Sequence, residues 1–527
     1  MRSATLFARV AVAVCLLAAG GLQALALAWP GTGQPQWWLQ LLSLAVFAGL
    51  LRSSPSGLDA WLRGWTFATA WLAGTFWWLF ISMHTYGGLA APLAVLAVLG
   101  LALFLGAYYA LASWFFRRYV QAGRTFNALL FAAVWLLAEL ARGVLWTGFP
   151  WGAGGYAHVE GPLAALARWI GVYGIGFVAA FLAMLLAQLR PRDLRRPAAW
   201  LALGLVLLVL GGAAYERHCA VTDCRADGAA NAGAQPLSVA LLQGNIPQDE
   251  KFQPGSGVPQ ALTWYGEALR EARAQLVVAP ETAIPLLPRQ LPRDYLASLQ
   301  VPYYLGSGAT QAALLGIPLG DERVGYTNSV VGWSPGQLEP YRYDKHHLVP
   351  FGEFIPPLFR WFTEMMDIPL GDFARGRVGQ PSMEWAGQRI APNICYEDLF
   401  GEELGARFAE PLLAPTIFVN LSNIGWFGDS VAIDQHLAIS RMRALEFERP
   451  MVRATNTGAT AVIDHRGVVT HRLPSLTRGV LLAEVQGRTA FTPFARWVAW
   501  GGLAPLWALG ALVLALALLR GRGARNG

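Results

Sequence analysis

The chain has 527 residues, of which 55% are hydrophobic and 14% charged, with a formal net charge of +7. That length exceeds a single ordinary domain and that balance lies far from soluble-protein usage, so membrane spans are the first expectation and no nucleic-acid partner is expected from the positive charge. Four cysteines, Cys15, Cys219, Cys224 and Cys395, are too few and too scattered for a disulfide scaffold. No Cys or His spacing resembles a zinc site, so no metal and no cofactor are expected.

In chain order, apolar stretches fall at 10–29, 36–51, 64–83, 88–116, 125–145, 163–189, 198–215 and 497–519. Most approach the ~20 residues a helix needs to cross the hydrocarbon core. The second is short and reads as tilted, interfacial or re-entrant. Arg2 and Arg9, Arg52 and Arg63, Arg117, Arg118 and Arg124, the group Arg190, Arg192, Arg195 and Arg196, and Arg520, Arg522 and Arg525 all fall on one side, whereas loops 30–35, 84–87 and 146–162 carry no Lys or Arg. Arg142 and Arg168, near the outer ends of their spans, are outnumbered. By the positive-inside rule the arginine side is cytoplasmic, which puts both termini there and residues 216–496 outside. The first stretch also reads as a signal peptide, since Arg2 and Arg9 precede an apolar run ending in Ala26-Leu27-Ala28; cleavage would put the termini on opposite faces, against the C-terminal arginines. The Gly- and Trp-rich loop 142–159 reads equally as an aromatic interfacial belt or as a substrate contact.

The chain thus divides into a span-rich part at 1–215 with about seven spans, a polar linker at 216–236, an α/β catalytic domain at 237–496, and a last span with its tail at 497–527. In an oxidising compartment Cys219 and Cys224 in the linker could pair, or remain two free thiols. Beyond the linker, short apolar runs rich in Val, Ile and Leu predict strands at 238–243, 276–279, 303–306, 329–333, 338–343, 389–394, 417–421, 451–455, 459–463 and 481–485. Helices are predicted at 258–273, 293–299, 399–408 and 433–448. Many strands interspersed with helices suggest layered sheets covered by helices.

Three segments put reactive groups at ends of predicted strands, where loops hold functional side chains on a rigid scaffold. They are Val277-Val278-Ala279-Pro280-Glu281, Tyr343-Asp344-Lys345-His346-His347, and Asn393-Ile394-Cys395-Tyr396-Glu397. Cys395 follows a strand and precedes a helix-like stretch, where a helix N-terminus would favour thiolate. Glu281 is suited to take its proton and Lys345 to stabilise an oxyanion. Taken singly, each has a plain reading: a small buried hydrophobe, a surface carboxylate, a solvated loop charge. Taken together the balance shifts to chemistry, because lysine occurs only at Lys251 and Lys345 while arginine is abundant.

In this order the Glu, Lys and Cys segments resemble the nitrilase, or carbon–nitrogen hydrolase, superfamily. Still closer is the resemblance to the bacterial apolipoprotein N-acyltransferases, carried by Gln243-Gly244-Asn245-Ile246-Pro247-Gln248, by the run Tyr343 to Pro356, by Cys395-Tyr396-Glu397-Asp398, by Asn420 to Gly428, and by the membrane loop Thr147-Gly148-Phe149-Pro150-Trp151. It covers essentially the whole chain. The resemblance implies a multi-span α-helical membrane domain plus an extracytoplasmic α-β-β-α sandwich. It implies Glu281 as general base, Lys345 as oxyanion stabiliser and Cys395 as nucleophile, with Glu353 as a supporting carboxylate and Tyr396 and Glu397 shaping the pocket. It also implies a phospholipid acyl donor, a diacylglyceryl apolipoprotein acceptor and a thioester intermediate in a bacterial inner membrane. Two departures stand out: Lys251-Phe252 lies where the family often has a Trp, and Ile424 replaces a usual acidic residue before Trp426.

Two other classes share features with this reading. A membrane-anchored amidase would use the same triad, and only the span-rich half and the family-specific loops speak against it. The other class is a transporter or lipid-binding protein with an inert nitrilase-like domain, and an intramembrane charge pair would favour transport. Glu139 and Arg142 are the nearest candidates, and they read better as ordering the outer loop.

Overall fold

The computed structural model describes residues 2–121, 123–190, 235–304, 310–337, 339–356 and 372–526, together with Asp193 and Gly211. The apolar stretch 198–215, the linker cysteines Cys219 and Cys224, and the loop residues Leu358, Phe359, Trp361 and Phe362, which by sequence read equally as lining an acyl-chain path, dipping into the lipid interface or plain packing, lie outside the described residues. The chain divides into two compact units. One takes Met1–Phe80, Ala91–Cys224 and Leu503–Gly527, the other Ile81–Ala90 and Arg225–Gly502.

The first unit is helical: α1 (Arg2–Leu25), α2 (Trp37–Arg52), α3 (Gly57–Thr75), α4 (Ala91–Tyr119), α5 (Arg124–Val144), α6 (Ala167–Ala187) and the C-terminal helix Ala504–Asn526. Among the described residues, five helical segments are long and apolar enough to cross a membrane: Phe7–Leu25, Ala91–Tyr119, Arg124–Thr147, Pro162–Ala187 and Ala504–Gly521. Helix α2 is apolar but shorter. The predicted stretch 64–83 is corrected, because α3 starts seven residues earlier at Gly57, takes in Asp59 and Arg63, and stops at Thr75. The stretch 497–519 is likewise broken, with Pro493–Gly501 ending at Gly502 in a left-handed conformation (φ 51°). Small residues let the helices approach: a Cβ on Gly64 would overlap the Ser113 side chain, and one on Gly20 would lie 2.5 Å from the Phe67 carbonyl oxygen. Aromatic rings fill the space between, with Phe47 stacked on Phe67 and Trp71 on Trp135.

The buried polar pair in α5 fixes the loop beyond it. Arg142 donates to the carbonyls of Phe149 and Trp151, each at 2.7 Å, and to the Tyr109 hydroxyl at 3.1 Å. Glu139 accepts from the Gly154 amide at 2.8 Å. Both side chains are fully buried and serve the 149–154 backbone, as expected of groups that order a loop.

Among the described residues of the second unit, two six-stranded sheets run in the orders β12-β1-β2-β3-β4-β5 and β11-β10-β9-β8-β7-β6. Their strands are β1 (Leu237–Gln243), β2 (Leu276–Ala279), β3 (Ala312–Asp321), β4 (Gly325–Trp333), β5 (Tyr341–Asp344), β6 (Met383–Trp385), β7 (Gln388–Ile394), β8 (Ile417–Ser422), β9 (Met451–Thr455), β10 (Ala461–Ile463), β11 (Val469–Arg472) and β12 (Gly479–Val485). The period of two along each strand sorts side chains between layers. Leu237, Val239 and Leu241 of β1 meet Ile417, Val419 and Leu421 of β8 in the core between the sheets. Ala240 and Leu242 face the other way, onto Ala261, Tyr265 and Leu269 of the helix Gly257–Glu271. On the far face of the second sheet, Phe418 packs on Phe408 and Phe447. The result is an α-β-β-α sandwich.

The predicted strand at 303–306 is corrected: Tyr303 and Tyr304 close the helix Tyr295–Tyr304, and Gly306 lies outside the described residues. The neighbouring strand is β3, unpredicted because Gly316 and Pro318 punctuate it. Pro318 is tolerated because β3 pairs with β2 only over Ala312–Leu315; beyond that point it pairs with β4 alone. Strands β6 and β11 were also unpredicted; both are short and sit at sheet edges.

Candidate active site

In each sheet three strands are parallel, β1-β2-β3 and β7-β8-β9, and functional groups collect beyond their carboxyl ends, as in open α/β sheets generally. Glu281 stands two residues past the end of β2, Lys345 directly follows β5, and Cys395 directly follows β7. The Glu281 segment crosses β3 at Gly316, where a Cβ would lie 2.2 Å from the Pro280 carbonyl oxygen. Only a residue without a side chain admits that crossing.

The Lys345 ammonium is buried between two carboxylates, 3.1 Å from Glu281 Oε1 and 2.9 Å from Glu353 Oε1. Asn328 of β4 reaches the same two oxygens, its Nδ2 donating to each at 2.7 Å. The remaining oxygens are satisfied by main chain: Asn423 N donates to Glu281 Oε2 and Val349 N to Glu353 Oε2, both at 2.8 Å. Burial alone would push the Glu281 carboxyl up, but Lys345, the Asn328 hydrogen bond and Lys251 together hold it below the usual carboxylate range. For Lys345 burial disfavours the charge, and the two carboxylates more than restore it, so its proton is held above the ordinary lysine range. Glu281 and Lys345 are therefore ionised, and the cluster is closely ordered before any substrate arrives.

Cys395 is half-buried with φ 52°, a left-handed conformation that a non-glycine residue holds only when its surroundings impose it. Its carbonyl oxygen accepts from Asn420 Nδ2 and from His436 Nε2, each at 3.2 Å. Behind it Asp398, His436, Ser440 and Arg453 form a buried network: His436 Nε2 lies 3.0 Å from Asp398 Oδ1, and Arg453 bonds Asp398, Ser440 and His436. The expectation of a helix-stabilised thiolate is corrected. The segment after β7 is a five-residue 3-10 helix, Cys395–Leu399, and burial, then the Glu281 charge, push the thiol up to about 12, with Lys345 and Ser422 offsetting only part. The resting thiol therefore keeps its proton.

Glu397 ties the lysine loop to the cysteine segment. Its Oε1 accepts from the amides of His346 and His347 at 2.7 and 3.2 Å, and its Oε2 from Ile394 N and the Tyr343 hydroxyl at 2.7 and 2.8 Å. Four donors on one carboxylate fix the spacing between Lys345 and Cys395. The Tyr396 ring lies 5.7 Å from His347 and 5.3 Å from Phe400, filling the space beside the same loop. Glu281, Lys345, Glu353 and the Asn423 amide thus join in one hydrogen-bonded cluster that acts electrostatically on Cys395, with Tyr396 and Glu397 beside it. Sequence reading missed Asn328, whose signal is the polar run Thr327-Asn328-Ser329, buried inside a strand. It also missed the network behind Cys395. Among the described residues, no group of three or more His, Cys, Asp or Glu side chains is placed to hold a metal ion.

A family model described as the apolipoprotein N-acyltransferase N-terminal domain matches residues 19–185, and one described as carbon-nitrogen hydrolase matches 238–494. An apolipoprotein N-acyltransferase of Verminephrobacter eiseniae is 64% identical over 499 residues, 92% of each chain. One of Ralstonia nicotianae is 48% identical over 491 residues, 93% of this chain and 90% of that protein. Among solved structures, a carbon–nitrogen hydrolase from Helicobacter pylori is 14% identical, with a TM-score of 0.35 over 51% of this chain and 94% of its own. With both halves of the chain matched and relatives this similar over nine-tenths of their length, the chain belongs to the apolipoprotein N-acyltransferase family.

Proposed function

We propose that this membrane acyltransferase works in two half-reactions through the Cys395 thiol. In the first, Cys395 attacks the sn-1 ester of a phospholipid, phosphatidylethanolamine foremost, while Glu281 takes the thiol proton and Lys345 meets the developing oxyanion. Collapse of the tetrahedral intermediate expels the lysophospholipid oxygen, which takes the proton back from Glu281, and leaves a thioester. In the second, the α-amine of a diacylglyceryl-modified N-terminal cysteine attacks the thioester, Glu281 takes the amine proton, and the thiolate leaves and is reprotonated. A carboxylate held low is a weak base toward a resting thiol pushed up to about 12. The transfer is completed as the S–C bond forms and negative charge moves from sulfur to the oxygen facing Lys345. Glu353 and Asn328 keep Glu281 and Lys345 ordered, and Glu397 and Tyr396 hold the loop that carries Lys345.

The observation that carries this reading is the buried Glu281–Lys345–Glu353 cluster acting electrostatically on the Cys395 thiol. The one-sided arginines support a bacterial inner-membrane protein with cytoplasmic termini and a periplasmic catalytic domain at 237–496, joined by the linker 216–236 to spans within 1–215 and followed by the last span within 497–527. Both substrates are lipid-anchored, so a catalytic domain flanked in the chain by apolar helices works at raised effective concentration. The test is intact-mass analysis of detergent-solubilised protein incubated with phosphatidylethanolamine. The expected result is a mass gain of one fatty acyl group, labile to hydroxylamine and absent from Cys395→Ala. No gain from lipid, with ammonia released from simple amides, would replace this reading by an amidase.

A further inference from the structure

The other lysine of the chain is also buried beside the triad, and the mechanism above leaves it unused. Lys251 lies in the turn between β1 and the helix Gly257–Glu271. Successive turns, with Glu250 N bonded to Pro247 O and Gln253 N to Glu250 O, leave Asp249 and Glu250 exposed to solvent. Lys251 faces the opposite way and is 0% exposed. Its ammonium donates to the main-chain carbonyl of Glu281 at 3.2 Å and sits 5.9 Å from the Phe252 ring centroid. The charges acting on it are those of Glu281 and Cys395. A lysine is almost never fully buried without paired charge, so its position needs an electrostatic reason.

Charge counting supplies one. Glu281 and Glu353 face a single ammonium at Lys345, so with Lys345 alone the resting cluster carries one excess negative charge; that excess stays when Cys395 passes its proton to Glu281 and becomes two when the proton leaves to solvent, as in alkylation of the free thiol. A second ammonium brings the resting cluster to neutrality. Resting on the reading of Cys395 as nucleophile and Glu281 as base, we infer that Lys251 is a positioning residue of this site: it supplies the second positive charge against which the Cys395 thiolate forms. Burial, opposed in part by Glu281 and Cys395, brings the Lys251 ammonium down to about 7. Its charge is therefore present below that pH and lost above it, so its help to the thiolate fades as pH rises through neutrality.

The test is the rate of Cys395 alkylation by iodoacetamide on the full-length solubilised protein, read by mass on the peptide that contains Cys395. A thiol with a high pKa gains about tenfold in rate per pH unit. In the wild type that line should drop by roughly tenfold between about pH 6 and about pH 8, as Lys251 loses its charge. Lys251→Met should react roughly tenfold more slowly than wild type at about pH 6 and equally fast at about pH 9. Lys251→Arg, charged throughout, should follow the low-pH line of the wild type across the range. If Lys251→Met does not accumulate, the wild-type profile alone decides. A wild-type line without the drop overturns the inference. So does a Lys251→Met protein slowed by one factor at every pH, which is a structural effect. A drop that survives in Lys251→Met also overturns it and belongs to another group, such as Glu403, whose carboxyl burial raises to about 7. Failure of the two-step transfer shows separately, as loss of the lipid-derived adduct in the wild type with this alkylation profile intact.

Discussion

Asn328→Leu removes one side-chain amide from between two carboxylates while roughly keeping volume. In the structure Asn328 Nδ2 donates to Glu281 Oε1 and to Glu353 Oε1, each at 2.7 Å, and its main-chain carbonyl, which the substitution keeps, accepts from Lys345 N at 2.8 Å. A hydrogen bond to a charged group contributes about 1.5–3 kcal/mol to the charged form. At about 1.4 kcal/mol per decade, that weakens the hold on ionised Glu281 by roughly 10- to 100-fold. Glu281 is held below its ordinary range, so its ionisation supports the folded site above that range and the support is lost as pH falls. Removing the amide must therefore move the acid limb of activity upward in pH. The assay is the rate of acyl-adduct formation on Cys395 from phosphatidylethanolamine as a function of pH. The variant is expected to lose roughly 10- to 100-fold on the acid side and to stay within about threefold of wild type on the alkaline plateau. An acid limb that does not move, or moves down, would refute the assignment of that limb to Glu281 and of Asn328 to its support.

Two further substitutions probe how the site is held. Glu397→Gln gives four donors one acceptor oxygen in place of two, leaving two of them facing an amide N–H at a cost of about 1–3 kcal/mol each. Acyl-adduct formation should fall at least roughly 100-fold at every pH, and a rate within threefold of wild type would mean the lysine loop is placed by other contacts. Gly316→Ala puts a Cβ 2.2 Å from the Pro280 carbonyl oxygen and must displace the backbone leading to Glu281. Roughly tenfold or greater loss of adduct formation is expected in protein that still accumulates in membranes, and undiminished transfer would show that the Glu281 segment is not set by that crossing.

The sequence by itself determined the class of the protein and most of its strands, and it singled out the side chains of the candidate site. Apolar runs of membrane length read directly, because a helix in lipid must satisfy its backbone internally and needs a fixed number of residues to cross. The strands β2 and β9 read to the residue, because both faces of each are buried and the whole run is apolar or polar only where a side chain is held inside. Glu281, Lys345 and Cys395 stood out as reactive types at strand ends, in a chain that otherwise uses arginine for its positive charge. Only the tertiary structure decided how these groups are held and charged. β3 was hidden by Gly316 and Pro318, whose meaning depends on the Glu281 segment crossing it and on β2 ending beside it. Asn328 joins Glu281 and Glu353 across 47 and 25 residues of sequence, so its polar run marks it as a buried polar group without showing what it holds. The protonation of Cys395 ran against the local expectation, because a neighbour-free thiol at a helix start favours thiolate, whereas this one is buried beside an ionised carboxylate. Local periodicity fixes which residues are buried, whereas charge, distance and desolvation at the site belong to segments brought together only when the two sheets close.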